Sequence, residues 1–467
     1  MQRSVVVVGA GPAGMAAAME AALRGCRVTI IDEARLPGGQ VYRQADGSLI
    51  GEEYADAAEL NRKHRLLEKF DRAMSSLDYR SGCSVYAVFP NGEVHFAEQD
   101  HTRVLRPDAI VLATGVRELT IPFPGWTTPG VMFAGGAQAI LKSQHVLPGR
   151  NAVVAGCGPL PIVVAAQLLR AGGRVAAVAS LHPLKSMLHH AGSAWQGRDI
   201  LLEGARYAWT ILRSRVPRLT GFVPVRALGK DHLEAVVLAL VDKSGKVVPG
   251  TERELACDLL AVNYGFVANS ELAAMAGAKM RRDPVAGGWL PVADVYGRTS
   301  VPGILVAGDG AGLRGALIAE SEGAIVGATA ALGHTSGEPD LDSTDLCKAV
   351  ARRQRYLKFQ AAVRGSLHVP LGVWALATSG TTVCRCENVG VAEILEVLQD
   401  GHHSLNAIKR NSRAGMGWCG GRTCLHAIEA LAELHAGVVP HEMMTPRPMA
   451  RPVAFAALAR LEKVQSK

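Results

Sequence analysis

The chain has 467 residues, enough for about three domains, and a hydrophobic fraction of 48% supports several buried cores, which excludes a disordered or fibrous protein. The 50 Lys and Arg against 42 Asp and Glu give +8, but the cations are dispersed and not interleaved with aromatics, which argues against nucleic-acid binding. Nine cysteines, an odd number, fit reduced thiols and a cytoplasmic location better than a disulfide framework. Five of them, Cys26, Cys83, Cys157, Cys257 and Cys347, are scattered singly and are expected as small buried hydrophobes.

The first segment, "SVVVVGAGPAGMAAAMEAALRGCRVTIIDE", predicts strand, tight loop, helix and strand. Its glycines belong to a loop motif, so the apolar start is not taken as a secretory leader. Gly9, Gly11 and Gly14 have the G-x-G-x-x-G spacing: a turn, a close approach of backbone to pyrophosphate, and close packing of helix on strand. With Pro12 and Ala13 they open a helix whose free N–H groups favour phosphate. Asp32 ends the second strand 18 residues after Gly14, where a carboxylate accepts ribose hydroxyls; Glu33 competes for that role or is a solvated loop residue.

Three later segments complete the pattern. "PGGQVYR" supplies a second glycine turn with Gly39 and Gln40; "AIVLATG" is an apolar strand ending in Thr114 and Gly115; "TSVPGILVAGDGAG" is another, ending in Gly308 and Asp309 before the helix "GALIAESEGAIVG". Their order resembles the two-dinucleotide-binding-domain flavoproteins of the glutathione-reductase type, an α/β fold. That resemblance implies FAD as cofactor, with Asp309 at its ribitol chain.

Between these halves, "GRNAVVAGCGPLPIVVAAQLLRAGGRVAAVAS" repeats strand, glycine turn, helix and strand. Gly156 and Gly158 are kept, but Pro161 replaces the third glycine and the second strand ends in "AVAS", without an acid for a ribose or an arginine for a 2′-phosphate. A Rossmann-like domain with a degenerate nucleotide site is expected, nicotinamide binding being weak or absent, with a non-standard NAD site or another nucleotide as alternatives. Leu201, Ala205, Trp209 and Leu212 then recur at helical spacing, which predicts an amphipathic helix covering the sheet edge, or a lid or partner surface. His189 and His190 form no metal pattern and are expected at the surface.

After a polar linker and a basic helix come "TVCRCENVG" and, with 32 residues intervening after Cys386, "CGGRTC". Cys384, Cys386, Cys419 and Cys424 put four thiolates on two loops, with one short helix expected between the loops and another after them. Thiolate sulfur suits iron–sulfur or zinc, and free thiols are the remaining alternative. The C-x-C and C-x4-C pairs resemble the helical [2Fe–2S] domain of bacterioferritin-associated ferredoxin. Arg385, Lys409, Arg410, Arg413 and Arg422 would offset the charge of such a cluster, or form a solvated face.

A flavoprotein of this kind carrying the tail "TVCRCENVG…RAGMGWCGGRTC" resembles the A, or alpha, subunits of bacterial heteromeric amine dehydrogenases of the opine oxidase, hydroxyproline and proline dehydrogenase and hydrogen cyanide synthase type. The resemblance implies an FAD-dependent oxidoreductase subunit that accepts electrons from a separate FAD-containing beta subunit, with a small third subunit in some assemblies. No catalytic base is assigned on this chain. Self-contained NAD(P)H-dependent reduction of a ferredoxin-like acceptor, or a redox-sensing scaffold, are the rivals. The expected division is 1–120 and 251–335 for the FAD domain, 121–250 for the inserted Rossmann-like domain, 336–380 for linker and helix, 381–440 for the [2Fe–2S] domain and 441–467 for a tail.

Overall fold

Four consecutive valines, Val5 to Val8, are buried on both faces of a sheet, as a parallel strand requires. The computed structural model describes residues 2–45, 54–182, 195–333, 337–363 and 367–463, so His189 and His190 lie outside the described residues. The first sheet runs Ile304–Val306, Ala109–Leu112, Ser4–Val8, Arg27–Asp32 and Leu77–Ser81, all parallel. Strands distant in sequence thereby become neighbours, and their carboxyl ends form one edge. On one face the helix Pro12–Leu23 crosses Ala316–Ala330, and small residues set the approach: a Cβ on Gly323 would lie 2.1 Å from the Ala13 carbonyl oxygen, and one on Gly327 would lie 2.4 Å from that of Ala17.

A second parallel sheet has the order Arg218–Thr220, Arg174–Ser180, Asn151–Gly156, Leu259–Asn263, Val131–Phe133. Leu259–Asn263 belongs to this sheet, so the chain returns to the first fold beyond residue 263 and not at 250. The reason is pairing: this all-buried strand fills the gap between Asn151–Gly156 and Val131–Phe133. Two short antiparallel strands, Val116–Glu118 and Phe266–Ala268, form the crossover ribbon between the folds.

The helix Thr344–Val363 straps the folds together. Arg352 and Arg353 pair with Glu320 (2.9 Å) and Glu322 (3.2 Å) on the long helix of the first fold, while Arg355 reaches Asp199 (2.9 Å) at the edge of the second. The C-terminal helices share one core with the second fold: Trp126, Val153, Leu260, Val373, Cys384, Ile394 and Ile428 belong to one buried cluster.

Four further expectations are corrected. Two helices lie between the cysteine loops, Val391–Gln399 and Leu405–Ser412, the second started by Ser404, whose hydroxyl accepts from Ala407 N at 3.1 Å. The segment after 440 is not only a tail, because Leu461–Lys463 pairs with His101–Leu105. Cys347 is exposed, whereas Cys26, Cys83, Cys157 and Cys257 are buried as expected. The helix Arg198–Arg213 turns its Leu201 to Leu212 stripe away from the sheet: Trp209 is 63% exposed, and Tyr207 and Ile211 are buried instead. Polar anchoring outweighs the apolar stripe here, since the Tyr207 hydroxyl bonds Asp56 N (2.7 Å) and Glu59 (3.1 Å) while Glu203 pairs with Arg62 at 2.6 Å. No helix among the described residues is long and apolar enough to cross a membrane.

Candidate functional site

The carboxyl edge of the first sheet gathers the segments picked out in the sequence. Gly9 has φ +103°, and a Cβ there would lie 2.4 Å from the Ala113 carbonyl oxygen, so the loop is closed to side chains on its strand side. Pro12 is at the start of the following helix, and Gly14 packs so closely that a Cβ would come 1.7 Å from Gly9 O. The second glycine turn lies on the first: Gly38 N donates to Ala10 O at 2.8 Å, and Gly39 abuts the Gly11 Cα. Gln40 bonds Arg43 at 2.6 Å.

Asp32 lies beneath this loop, its carboxylate accepting from Ala10 N and from Ala34 N (2.6 Å). Burial pushes its pKa up, against the opposing pull of those two N–H groups. Glu33 is 59% exposed and pairs with Arg451 at 3.2 Å. On the other side Gly308 packs on Ala13, and Gly310 packs on Thr114. The Asp309 carboxylate accepts from Arg314 N (2.8 Å) and Gly315 N (2.7 Å) ahead of the helix Ala316–Ala330, and burial raises its pKa as well. The Thr114 hydroxyl donates to Asn269 O at 2.6 Å, and Gly115 has φ +64°. Two interlocked backbone turns, a helix amino terminus and two acids at strand ends make a cradle that fits a dinucleotide with a flavin at one end.

The second glycine turn is built differently. Gly156 has φ +138° and is pressed against Asn263, while Pro161 is buried in the first turn of the helix Leu160–Arg170. A Cβ on Gly158 would lie 2.9 Å from Leu367 Cδ2, and His182 bonds the His368 carbonyl at 2.6 Å. The segment after the strap helix therefore lies over the turn where a pyrophosphate would approach. Cys157 in that turn is buried, which pushes its thiol up to about 12.

The four C-terminal cysteines converge. Cys384 hydrogen-bonds Cys424, and Cys386 hydrogen-bonds Cys419. Cys384, Cys419 and Cys424 are buried and Cys386 is half-buried. Gly417 brings the loops together, because a Cβ there would come 2.3 Å from Cys386 Cβ. Cys384 is pulled down to about 6, first by the bond from Cys424 and then by the N–H groups of Gly415, Glu387 and Cys386; Cys424, its partner, is raised. Cys386 is raised to about 11, chiefly by burial. Among the described residues no three His, Cys, Asp or Glu side chains gather as for one metal ion. Two thiol pairs on glycine-rich loops, one already biased to thiolate, fit a two-iron cluster.

The surrounding cations divide. Arg422 lies between Cys419 and Cys424 and has one buried terminal nitrogen without a hydrogen-bond partner. Lys409 is held below its usual pKa, first by burial and then by Arg447. Arg413 pairs with Glu387 at 2.8 Å, Arg385 stacks 5.5 Å over Trp126, and Arg410 is exposed. Trp418 is 70% and Met416 40% exposed, and they flank Gly417, which abuts the half-buried Cys386.

Three contributors escaped the sequence: Leu367 over Gly158, Arg117 in the crossover ribbon, and Trp126, whose Nε1 donates to Thr382 O at 2.7 Å. None sits in a motif, and no spacing could have found them.

Residues 3–209 and 226–331 match the family of pyridine nucleotide-disulphide oxidoreductases, and residues 382–433 match the BFD-like [2Fe-2S] binding domain. The chain is 31% identical to an opine oxidase A subunit from Agrobacterium tumefaciens (strain Ach5), over 98% of this chain and 91% of that one. It is 32% identical to the hydrogen cyanide synthase subunit HcnB of Pseudomonas aeruginosa, over 98% of each. The crystal structure of L-proline dehydrogenase from P. horikoshii superposes with a TM-score of 0.68 at 21% identity, covering 98% of this chain and 80% of that one.

Proposed function

The chain belongs to the pyridine nucleotide-disulphide oxidoreductase family, carries a BFD-like [2Fe-2S] domain and is similar to opine oxidase A subunits and HcnB, and we propose that it is the electron-transfer subunit of a heteromeric dehydrogenase or oxidase acting on a C–N bond. It is an FAD-dependent oxidoreductase and binds a [2Fe–2S] cluster. The donor class in this proposal is an opine, imino acid or amino acid. It is oxidised on a separate FAD-containing beta subunit, and the assembly works in the cytoplasm. Relatives named as subunits support the partner, and nine free cysteines support the compartment.

In this proposal Gly9, Gly11, Pro12, Ala13 and Gly14 hold the FAD pyrophosphate, Asp32 with Glu33 its ribose, Gly39 and Gln40 the flavin side, and Thr114, Gly115, Gly308 and Asp309 the ribitol side. Cys384, Cys386, Cys419 and Cys424 hold the cluster. FAD when bound accepts electrons in pairs, and the cluster carries them singly. The chain's own residues orient both groups, exclude water from three of the four thiols, and leave Cys386 against Gly417, which exposed Met416 and Trp418 flank, as the edge toward an acceptor.

The observation that carries the proposal is the position of Cys384 and Cys424, with Cys386 packed at the edge, in a core shared with the second nucleotide fold, whose own turn lies under Leu367. An electron centre thus shares a core with the fold whose nucleotide turn is covered. The test is co-purification with a flavoprotein encoded nearby, followed by dye reduction with secondary amines and amino acids. Full-rate turnover by the chain alone would overturn the assignment.

A further inference from the structure

Arg117 stands where the flavin cradle meets the cysteine loops. It follows Thr114 and Gly115 on the strand Val116–Glu118 and is paired across the crossover ribbon with Val267. Its Nη1 lies 2.8 Å from Glu271, 3.0 Å from Asn269 Oδ1 and 3.1 Å from Ala268 O. Its Nε donates to the Arg422 carbonyl at 2.9 Å, and Arg422 in turn donates from its own Nε to Cys419 O at 2.9 Å. In the other direction Asn269 donates from Nδ2 to Thr114 O at 3.0 Å and accepts from the Thr114 hydroxyl at its main-chain oxygen. An unbroken series of hydrogen bonds therefore runs from Thr114 through Asn269, Arg117 and Arg422 to Cys419. Arg117 is the member that joins the two sides, and its side chain is 19% exposed.

We infer that Arg117 is a positioning residue for electron passage: it fixes the Cys419–Cys424 loop against the Thr114–Gly115 loop and so sets the rate at which electrons cross between the two sites. Two physical points support this. Tunnelling falls steeply with distance and passes better through hydrogen-bonded atoms than through gaps, so the loop-to-loop distance matters more than the loops' own conformations. A half-buried guanidinium with a carboxylate, two other oxygens on one nitrogen and a carbonyl on the next is also held in one geometry, which a lysine's single ammonium cannot reproduce. Each crossing takes one electron from reduced flavin and reduces the cluster by one; the proton leaves the flavin for solvent, and a one-electron acceptor then reoxidises the cluster. The inference rests on the relay proposed above.

The test is flash reduction of the flavin in the purified assembly, with cluster bleaching followed in wild type, Arg117→Met, Arg117→Lys and Asn269→Ala. Flavin content, iron content and the visible circular dichroism of the cluster are recorded for each. Arg117→Met is expected to keep both cofactors and slow flavin-to-cluster transfer about 10-fold or more, the scale of lost outer-shell partners at metal sites. Arg117→Lys is expected to recover part of the rate. Wild-type transfer in Arg117→Met with both groups bound would overturn the inference. If that variant loses its cluster, Asn269→Ala decides, because it cuts the series on the flavin side and leaves the Arg422 contact: a slowed crossing supports the inference, and an unchanged one overturns it. Absence of any flavin-to-cluster transfer in wild type would instead sink the relay itself.

Discussion

The Leu367 side chain lies against Gly158, so close that a Cβ on that glycine would be 2.9 Å from Leu367 Cδ2. A residue from the C-terminal linker thus covers the turn of a nucleotide fold more than 200 positions earlier. Two features then act against nicotinamide: the strand end Ser180 lacks a ribose acid, and the phosphate turn is covered. NADH or NADPH is expected to reduce the bound flavin slowly or not at all, and Leu367→Ala should not change this, because the missing acid is not restored. Rapid stopped-flow bleaching of the wild-type flavin by micromolar nicotinamide would refute the expectation.

The four thiols should hold one [2Fe–2S] cluster per chain beside one FAD. Cys419→Ser is expected to lose the cluster and keep the flavin, since the cradle segments lie in the first sheet. Because Cys384 and Cys424 share a core with Val153 and Leu260, the same variant should also lower the melting temperature of the whole chain. Iron, sulfide, zinc and flavin analysis after anaerobic purification checks the content; stoichiometric zinc without iron would remove the cluster from this site.

Buried Glu429 offers a pH test. Trp289 Nε1 bonds it, His426 lies 3.1 Å away and Arg282 3.6 Å away. Burial alone would raise its pKa, but these three partners together hold it below the usual carboxylate value. A lowered folded pKa means that its stabilisation is complete above the ordinary carboxylate value and is lost as pH falls through the lowered one. Trp289→Phe removes a hydrogen bond to a charged group and should cost about 1.5–3 kcal/mol at neutral pH. Thermal melts of both proteins should converge as the medium is acidified through that range. A constant difference would mean that the carboxylate is not what the indole stabilises.

Trp418, exposed between Gly417 and Cys419, marks the expected exit for electrons. In the complete assembly Trp418→Ala should slow reduction of a protein acceptor more than it slows reduction of the flavin by substrate. Small dyes, which need no docked surface, should respond less. Equal slowing of both steps would place the effect upstream of the exit.

The segments proposed to hold the cofactors were legible because each is local. A glycine turn needs φ values and clearances that only glycine supplies, so Gly9, Gly14 and Gly39 announce themselves, and thiol spacing in two loops does the same for the cysteines. The missing acid after Ala179 was equally plain in the sequence. Local signals failed where partners are remote. The Leu201 to Leu212 stripe has helical period, yet Tyr207 with Asp56 and Glu59 decided which side of that helix faces inward. The return of the chain after residue 263 was set by a gap in a sheet, which no single segment encodes. Arg117 and Leu367 have no sequence signature, because what they do depends on Arg422 and Gly158 being brought beside them by the crossover ribbon and the strap helix. Sequence alone determined what chemistry the chain can hold; only the tertiary structure decided which of those sites stays open and how two of them are joined, because access and coupling are set by contacts between residues far apart in the chain.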